Sequence, residues 1–512
     1  MSGGIFFGIN IGVKSLRAQQ LAMNVTGHNI ANANTPGYSR QVANMETGFA
    51  VPVPSNNRWR GAGQLGTGVE ISEVRRIRDQ FIDWQIRAES GVLEEWKARH
   101  DALNQVEVVF MEPSDTGLSS LFSDFWNSWQ ELSKFPESSS VRTTVKETAV
   151  ALAEAFRYSY ARLENIEEGL DRKMEIAVNE ANSILSQVAA LNEQIKYIKV
   201  GGDNPNDLMD KRDLLLDSLA NLMDIEVKPV FAQVAGKTIA TGEVTVSINT
   251  SDGRINLVGP DLPGGHQQLE RSGLEVSVGG SLLELNAGEM YGLQKTGFSS
   301  VTDTSSINYY KNKLDVLAKG LAEILNDIHQ GGLTLKKDES DNWINGGDFF
   351  VFRDAEGNLI ASEDFSAKYL YVNPVIEADV GYIAAGRVES GEEFNPGNRE
   401  NALLIASLRN LRLSLDSDGN LQQDAAGDLK FETFYQNFVA ELGVATREAE
   451  RMVENQKTLV GQLVNRKEAV AGVSIDEEVA NMIRFQHAFQ AAARYIRVLD
   501  ELSQTIVNGL KA

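Results

Sequence analysis

Asn29-Ile30-Ala31-Asn32-Ala33-Asn34-Thr35-Pro36-Gly37-Tyr38-Ser39-Arg40 is where an N-terminal helix must stop. Upstream of it, from Ile5, apolar or small residues fall at Ile9, Val13, Leu16, Met23, Gly27 and Ile30, a three-and-four spacing that paints one face of a helix. Pro36 disfavours the α conformation at Thr35, and Pro36-Gly37 suits the centre of a type II turn, where glycine supplies positive φ. The far end of the chain carries a matching seam. Ser474-Ile475-Asp476-Glu477 reads as a capping box, followed by a stripe at Ile475, Val479, Met482, Phe485, Phe489, Ala492, Ile496, Leu499, Ile506 and Leu510, broken only by Ser503. Apolar faces kept to both extremities predict that the two ends pair as a coiled coil. Burying that seam returns less free energy than ordering both segments costs, so neighbours are expected to complete it on assembly.

Working inward, residues 41–75 are rich in Gly, Pro and Asn and read as an extended connector with one short strand, Val69-Glu70-Ile71-Ser72-Glu73-Val74. Helical spacing predicts helices over 81–111 and 118–134, the second with Phe122, Phe125, Trp126 and Trp129 on one side. The longest pattern runs Val145, Ala149, Leu152, Phe156, Ser159, Leu163, Ile166, Leu170, Met174, Ala177, Ala181, Ile184, Val188, Leu191, Ile195 and Ile198. Its alternating steps of four and three, with one stutter near Leu170, describe a coiled-coil-like rod of about 55 residues, on the order of 80 Å long. Gly201-Gly202 ends it, and Asp203-Asn204-Pro205-Asn206-Asp207 opens a further helix over 208–223. A period of two takes over from 225 to 293 and again in short runs over 333–395, while helices return over 314–328, 402–413 and 431–470. The fold class expected is mainly α with β-rich inserts. Its division would be a terminal coiled-coil inner domain (1–60 plus 475–512), a helical-bundle shaft (61–229, 294–332 and 396–474) and outer β-rich inserts (230–293 and 333–395).

Composition narrows the function. The 512 residues are 42% hydrophobic and 23% charged, values of well-packed globular structure. A formal charge of -23 argues against a nucleic-acid or anionic-membrane partner, although residues 1–90 hold nine Lys or Arg against six Asp or Glu. The chain has no cysteine, which removes disulfides, thiolate metal sites and cysteine nucleophiles together. No ordinary secretory signal and no membrane-spanning stretch is evident.

Three segments resemble motifs of chemistry, and each has a plainer reading. Gly61-Ala62-Gly63-Gln64-Leu65-Gly66 matches the dinucleotide fingerprint in letters, yet Asn57-Arg58-Trp59-Arg60 precedes it where a buried strand belongs, so a connector is expected. Asp203 to Asp207 and Asp416-Ser417-Asp418-Gly419-Asn420 resemble calcium loops. The first has Pro205 at a ligand position and the second lacks the required glycine and closing glutamate, so a helix entry and a hairpin turn are expected. His28, His100, His266, His329 and His487 show no metal spacing, and no catalytic constellation stands out among 71 carboxylates. The expectation is therefore no enzyme, no cofactor and no metal. Trp126, Trp129 and their phenylalanine neighbours read as packing core. Asn24, Asn29, Asn32 and Asn34 admit two readings, helix-end capping or amides that bond across subunits.

These residues resemble the rod, hook and hook-associated proteins of the bacterial flagellum. The resemblance lies in Ser15-Leu16-Arg17-Ala18-Gln19-Gln20 through the motif residues Asn29, Asn32, Thr35, Pro36, Gly37 and Tyr38, then in Gly66-Thr67-Gly68-Val69 and Arg75-Arg76-Ile77-Arg78-Asp79-Gln80-Phe81. Pro205-Asn206-Asp207-Leu208-Met209-Asp210-Lys211-Arg212-Asp213 and the ending from Gly472 to Ala491 point, with the long helical body, to the hook-associated branch; a rod or hook subunit is the alternative. Residues 230–290 and 335–395 carry no recognisable resemblance, and a surface adhesin or enzyme borne on them is the more distant alternative. The resemblance implies a structural subunit at the junction of hook and filament, self-assembled in helical array, with the hook protein on one side and a second junction protein toward the filament. It also implies export through the flagellar type III apparatus without a cleaved signal, a chaperone at the C-terminal helix, and an extracellular location. The interface expected sets Phe485, Phe489, Ile496, Leu499 and Ile506 against Ile9, Val13, Leu16, Met23 and Ile30, within or between subunits.

Overall fold

The computed structural model describes residues 5–50, 65–110, 117–234, 236–298, 300–354, 356–360, 365–388, 394–417 and 419–509. Helix α1 spans Ile5–Ala31 and closes in the expected turn: the Tyr38 amide donates to the Thr35 carbonyl at 3.2 Å, with Gly37 at φ 77°. A side chain at that φ would be strained. Strands β1 (Gln41–Thr47) and β2 (Val69–Arg76) then pair antiparallel, Gln41 opposite Arg76 and Thr47 opposite Val69. Only β2 alternates in polarity clearly enough to read from sequence; β1 gains its strand character from that pairing. Residues 61–64 of the glycine-rich stretch lie outside the described residues.

The body is built on α4, Ser139–Val200. Ser138 caps its start by accepting from the Val141 amide, and Gly202, at φ 96°, turns the chain at its end. The stripe from Val145 to Ile195 is buried apart from half-covered Ile166 and Leu191. No single long partner covers it. Helix α3 (Leu118–Lys134) lies on its first turns, where Phe122 meets Phe156 edge-on. Helix α5 (Asn206–Leu222) folds back along its last turns, and between them come α6 (Glu289–Phe298), α7 (Ile307–Gln330) and strands from both β-rich stretches. A seven-residue apolar rhythm thus serves a helix that meets a succession of short elements on one face. Beside it, α2 (Gln80–Phe110) and α10 (Phe431–Ala471) run antiparallel: Lys467 reaches Asp83 at 3.0 Å at one end, and Phe110 packs on Tyr435 and Phe438 at the other. Phe122, Phe125, Trp126 and Trp129 are fully buried, which is the packing role their spacing indicated.

The first β-rich stretch forms two antiparallel three-stranded meanders, β3-β4-β5 (Glu226–Val234, Lys237–Thr250, Gly253–Val258) and β6-β7-β8 (Leu269–Ser272, Glu275–Val278, Ser281–Leu282). Hairpins follow: β9 (Leu333–Lys337) with β10 (Trp343–Asn345), and β11 (Phe350–Phe352) with β12 (Leu370–Val372). After short α8 (Pro374–Ala378), helix α9 spans only Glu400–Ser407. The helix expected over 402–413 stops early because Leu413 pairs instead with Gln423, joining β13 (Leu413–Leu415) to β14 (Leu421–Gln423). The supposed calcium loop between them is the hairpin turn, Asp416 accepting from the Asn420 amide at 2.8 Å. The last helix, α11, spans Ile475–Gly509. One apolar cluster runs from Ala98 to Ala449 and takes in both β-rich stretches, while α1 and α11 contribute no described residue to it. The architecture is mainly α with β-rich inserts. Among the described residues no helix is long and apolar enough to cross a membrane.

His329 illustrates how tightly this core is closed. Its Nδ1 lies 2.6 Å from the Gly347 carbonyl and its Nε2 accepts from the Ala384 amide at 2.9 Å, so the neutral ring is specified at both nitrogens. Burial lowers its pKa to about 4. The unfolded chain takes up this proton near pH 6.5 and the native one only near 4, so the stabilisation is complete above 6.5 and is lost as pH falls through that window. Asp315, raised to about 6 by burial, has the opposite sign, its carboxyl being favoured in the native state as pH falls below 6. Comparing wild type with His329→Gln by urea unfolding between pH 7.5 and 4.5 cancels Asp315. The stability advantage of wild type should shrink by about 1.4 kcal/mol per pH unit below 6.5; a constant difference would refute the assignment.

Candidate assembly site at the meeting of the chain ends

Asn29 sits on the last turn of α1 and is almost fully buried. Its amide nitrogen donates to the Gln41 carbonyl and to Glu478 Oε2, both at 2.9 Å, and its oxygen accepts from the Tyr38 hydroxyl at 2.8 Å and the Gln41 amide at 3.0 Å. Two donors and two lone pairs are the whole capacity of a carboxamide. Aspartate would set a second carboxylate against Glu478, and an apolar residue would take a partner from each of four groups at a largely dry site. Burial first, and then the charges of Asp207, Asp210 and Glu478, push the Tyr38 hydroxyl well above its ordinary pKa, so it remains a donor.

The residues after the turn carry the contact outward. Ser39 gives its amide and hydroxyl to the two oxygens of Asp210, at 3.0 and 2.8 Å. Gln41 donates to Asp207 at 2.8 Å and accepts from Asn206 at 3.0 Å, both at the start of α5. Arg40 bridges Glu477 at 3.1 Å and Glu478 at 2.8 Å, while its amide donates to the Ala471 carbonyl at 3.0 Å. Three stretches far apart in sequence therefore meet: the helix-stop motif, the Asp207 to Asp213 segment, and the start of α11. The capping box at Ser474 is half formed. Ser474 Oγ accepts from the Glu477 amide at 3.5 Å, but the Glu477 carboxylate turns to Arg40 rather than back to the cap.

Beneath this lies an ion cluster. Arg76 spans Asp210 at 2.6 Å and Asp213 at 2.9 Å, Arg78 binds Asp83 and Asp213, and Arg87 binds Asp217 at 2.6 Å. Lys467 of α10 joins Asp83 at 3.0 Å and Asp217 at 3.4 Å. Burial alone would raise Asp83, but the hydrogen bond and charge of Arg78, with Lys467, hold it below the usual carboxylate range. The cluster fastens β2, α2, α5 and α10 to one another.

Helix α1 lies antiparallel along α11. Their closest approach is on small residues: a Cβ added to Gly8 would stand 2.8 Å from Leu499 Cδ1, and one on Gly12 only 2.5 Å from Ile496 Cγ1. Gly12, Ala18, Ala22, Thr26 and Asn29 are the buried α1 positions. On α11, Phe485, Phe489, Ile496 and Leu499 are half-buried on the facing side, and Ile506 is exposed. Ile9, Val13, Leu16, Met23 and Ile30 are likewise only half-buried. Within one chain, the direct counterparts of Ile496 and Leu499 are thus glycines. Sequence reading favoured large residues because bulk signals a core, whereas two helices in close contact need one small face.

Of the family-motif positions, Asn29 and Tyr38 bond within the buried network, and Gly37 makes the turn. Asn32 folds back on the His28 carbonyl at 3.0 Å and accepts from Thr35, which with Pro36 stays exposed. Asn29 fits neither earlier reading, since it bonds across the two ends of a single chain. Ser39, Asp207, Asp210 and Glu478 fall within the motifs but carry no role there, and Gln41 lies just past the first motif; no local period marks a partner hundreds of residues away.

Residues 103–350 match the family described as the flagellar hook-associated protein FlgK helical domain, a span that crosses the first β-rich stretch although its sequence carried no recognisable resemblance. Residues 9–38 match the flagella basal body rod protein family and 469–509 the C-terminal family of the flagellar basal body rod FlgEFG proteins. The chain is 31% identical to flagellar hook-associated protein 1 of Bacillus subtilis over 99% of its own length and 98% of that protein, and 24% identical to that of Escherichia coli over 98% and 99%. Its fold is similar to a solved structure titled as the flagellar hook junction protein FlgK from Burkholderia pseudomallei, with a TM-score of 0.57 at 14% identity, covering 76% of this chain and all of that one.

Asn29→Ala should cost about 3 kcal/mol, because it strips partners from a buried carboxylate, a hydroxyl and a backbone amide. Amide exchange over residues 471–485 should accelerate while α4 is unchanged; unaltered exchange there would show that the carboxamide does not hold the ends together.

Proposed function

The chain belongs to the flagellar hook-associated protein 1 family and is a structural subunit of the hook-filament junction; we propose that copies hold that junction by packing through the faces of α1 and α11 that one chain leaves uncovered. The observation that carries this reading is a second stripe on α11. Ile475, Val479, Ile483, Val498, Leu502 and Ile506 are each between 43% and 54% exposed, and Tyr495, 44% exposed, borders the seam at Gly8 and Gly12. On α1, Phe6 is 81% and Leu21 42% exposed, beside the half-covered Ile9, Val13, Leu16, Met23 and Ile30. A two-helix pair has no third surface of its own to bury these, and so much aligned apolar area marks an interaction face. Each copy offers a large-residue flank, and copies repeating about an axis would cover one another heterologously.

The wider arrangement follows. Residues 1–60 plus 475–512 form an inner layer, the helical shaft (61–229, 294–332 and 396–474) surrounds it, and the stretches 230–293 and 333–395 face outward. The hook protein contacts one end of the ring of copies and a second junction protein the other. Before assembly the uncovered α11 stripe needs shielding, which is the task of an export chaperone at that helix, and passage through the flagellar type III apparatus delivers the chain outside the cell. A rod or hook subunit is the weaker reading, because the rod families match only residues 9–38 and 469–509 while the hook-associated relatives align end to end.

Val498→Asp alters a side chain that the single chain leaves exposed, so the isolated protein should melt as wild type does. Cells carrying it should build hooks without stable filaments and lose motility. Phe489→Asp, on the flank facing α1, should abolish junctions and also loosen the terminal pair. Normal swarming of both variants would overturn this function.

A further inference from the structure

Between α2, α5 and the β3-β4 hairpin lies a cavity of about 610 Å³. Arg212 reaches it from α5 with only 3% of its surface exposed. One of its terminal nitrogens donates to Asn192 at 3.0 Å and to the Gly242 carbonyl at 2.6 Å, but its Nε has no hydrogen-bond partner among the described residues. Among the described residues no carboxylate forms an ion pair with it, although the charge of Asp213 acts on it from nearby. In the adjoining cluster Asp83, Asp210, Asp213 and Asp217 are engaged by Arg76, Arg78, Arg87 and Lys467, so Arg212 is the cation in excess. Of the other acids lining the cavity, Glu243 is held by Lys196 at 3.1 Å, and Asp224 accepts from Asn286. Burial lowers the Arg212 pKa to about 10, the mark of a guanidinium short of counter-charge.

The cavity also has an aromatic side chain in its lining. Trp84 lines it and stacks on Phe81 at 5.9 Å between ring centroids, and both residues are nearly 60% exposed. A buried cation with a free donor behind an exposed aromatic ledge matches a carboxylate on an apolar stem. Such groups are abundant on this chain, with 71 carboxylates against 48 basic residues, and the cavity shares Arg76, Arg78 and Asn206 with the network that anchors the chain ends, where copies converge.

We propose that this cavity receives a glutamate or aspartate side chain from a second copy of the chain, its carboxylate meeting the Arg212 guanidinium and its stem lying against Trp84. The occupant rests on the reading that copies pack side by side, while the anion site does not. Two arms separate them. The full chain, dilute enough to be monomeric, is titrated with N-acetyl-glutamate methylamide, which bears only a side-chain carboxylate, and with its glutamine analogue; the readout is the Nε-H NMR signal that Arg212→Lys removes. The acid should shift that signal and the amide should not; no shift overturns the proposal. In the second arm, self-association is followed by sedimentation. Ala240→Trp, which fills the cavity from an exposed strand position without touching the ions, should weaken association tenfold or more. Arg212→Gln should do the same, and Arg212→Lys should recover most of it. Wild-type association of Ala240→Trp, even with probe binding, rules out a second copy as the source. Val498→Asp serves as the reference: if it associates normally, packing through the terminal helices fails, whereas the NMR arm still decides the anion site.

Discussion

A single carboxamide joins the two ends of this protein. Asn29 and Glu478 are separated by 449 positions, and the hydrogen bond between them is buried, with the carboxamide's other proton and both its lone pairs already used. Satisfied networks of this kind impose one geometry, because any slip leaves a polar group dry and unpaired. The antiparallel register of α1 on α11 follows from it. With Asn29 fixed on Glu478, Gly12 comes under Ile496 and Gly8 under Leu499, where only hydrogen atoms fit. The network also ties this pair to the body, since Ser39 and Gln41 hold the start of α5 and Arg40 holds the end of α10. The terminal helices are thereby aimed without sharing the main apolar core.

That arrangement explains why so much apolar surface stays uncovered. Small residues on α1 let the two backbones approach closely, and close approach buries little of the bulky residues on the flanks. Had α1 presented Ile9, Val13 and Leu16 directly to α11, the pair would have been better buried in isolation and would have had less to offer a neighbour. Burial within the pair and apolar surface left for a neighbour compete for the same side chains, and the glycine seam leaves the larger share uncovered.

Much of this was legible in the amino-acid order. Helices α3, α10 and α11 begin where periodicity and caps place them, α4 carries the stripe read along it, and the turn at Pro36-Gly37 has the geometry those two residues demand. Local rules sufficed there because each feature depends on residues within a turn or two of one another. The failures share the opposite property. Strand β1 exists through its pairing with β2, α9 ends early because Leu413 has a partner in Gln423, and the small-residue face of α1 is a seam only in the presence of Leu499 and Ile496. The motif residues themselves stood out in sequence, yet what Asn29 does could not be read, because Glu478 and Gln41 have no local relation to it.

Charge is partitioned along the same lines. A chain of net charge -23 repels its own copies, and packing them side by side requires that repulsion be relieved where they touch. The basic surplus of residues 1–90 is spent largely at the base of the body: Arg40 on Glu477 and Glu478, Arg76 and Arg78 on Asp210 and Asp213, Arg87 on Asp217. Apart from the exposed Arg40–Glu477 pair, these are partly or wholly dry, so salt screens them weakly, unlike the exposed pairs along α4. The acidic excess is thus left on the rest of the molecule, while the region proposed to meet other copies is close to neutral. Apolar contact between terminal helices can then decide the geometry of assembly without working against the field of the whole chain.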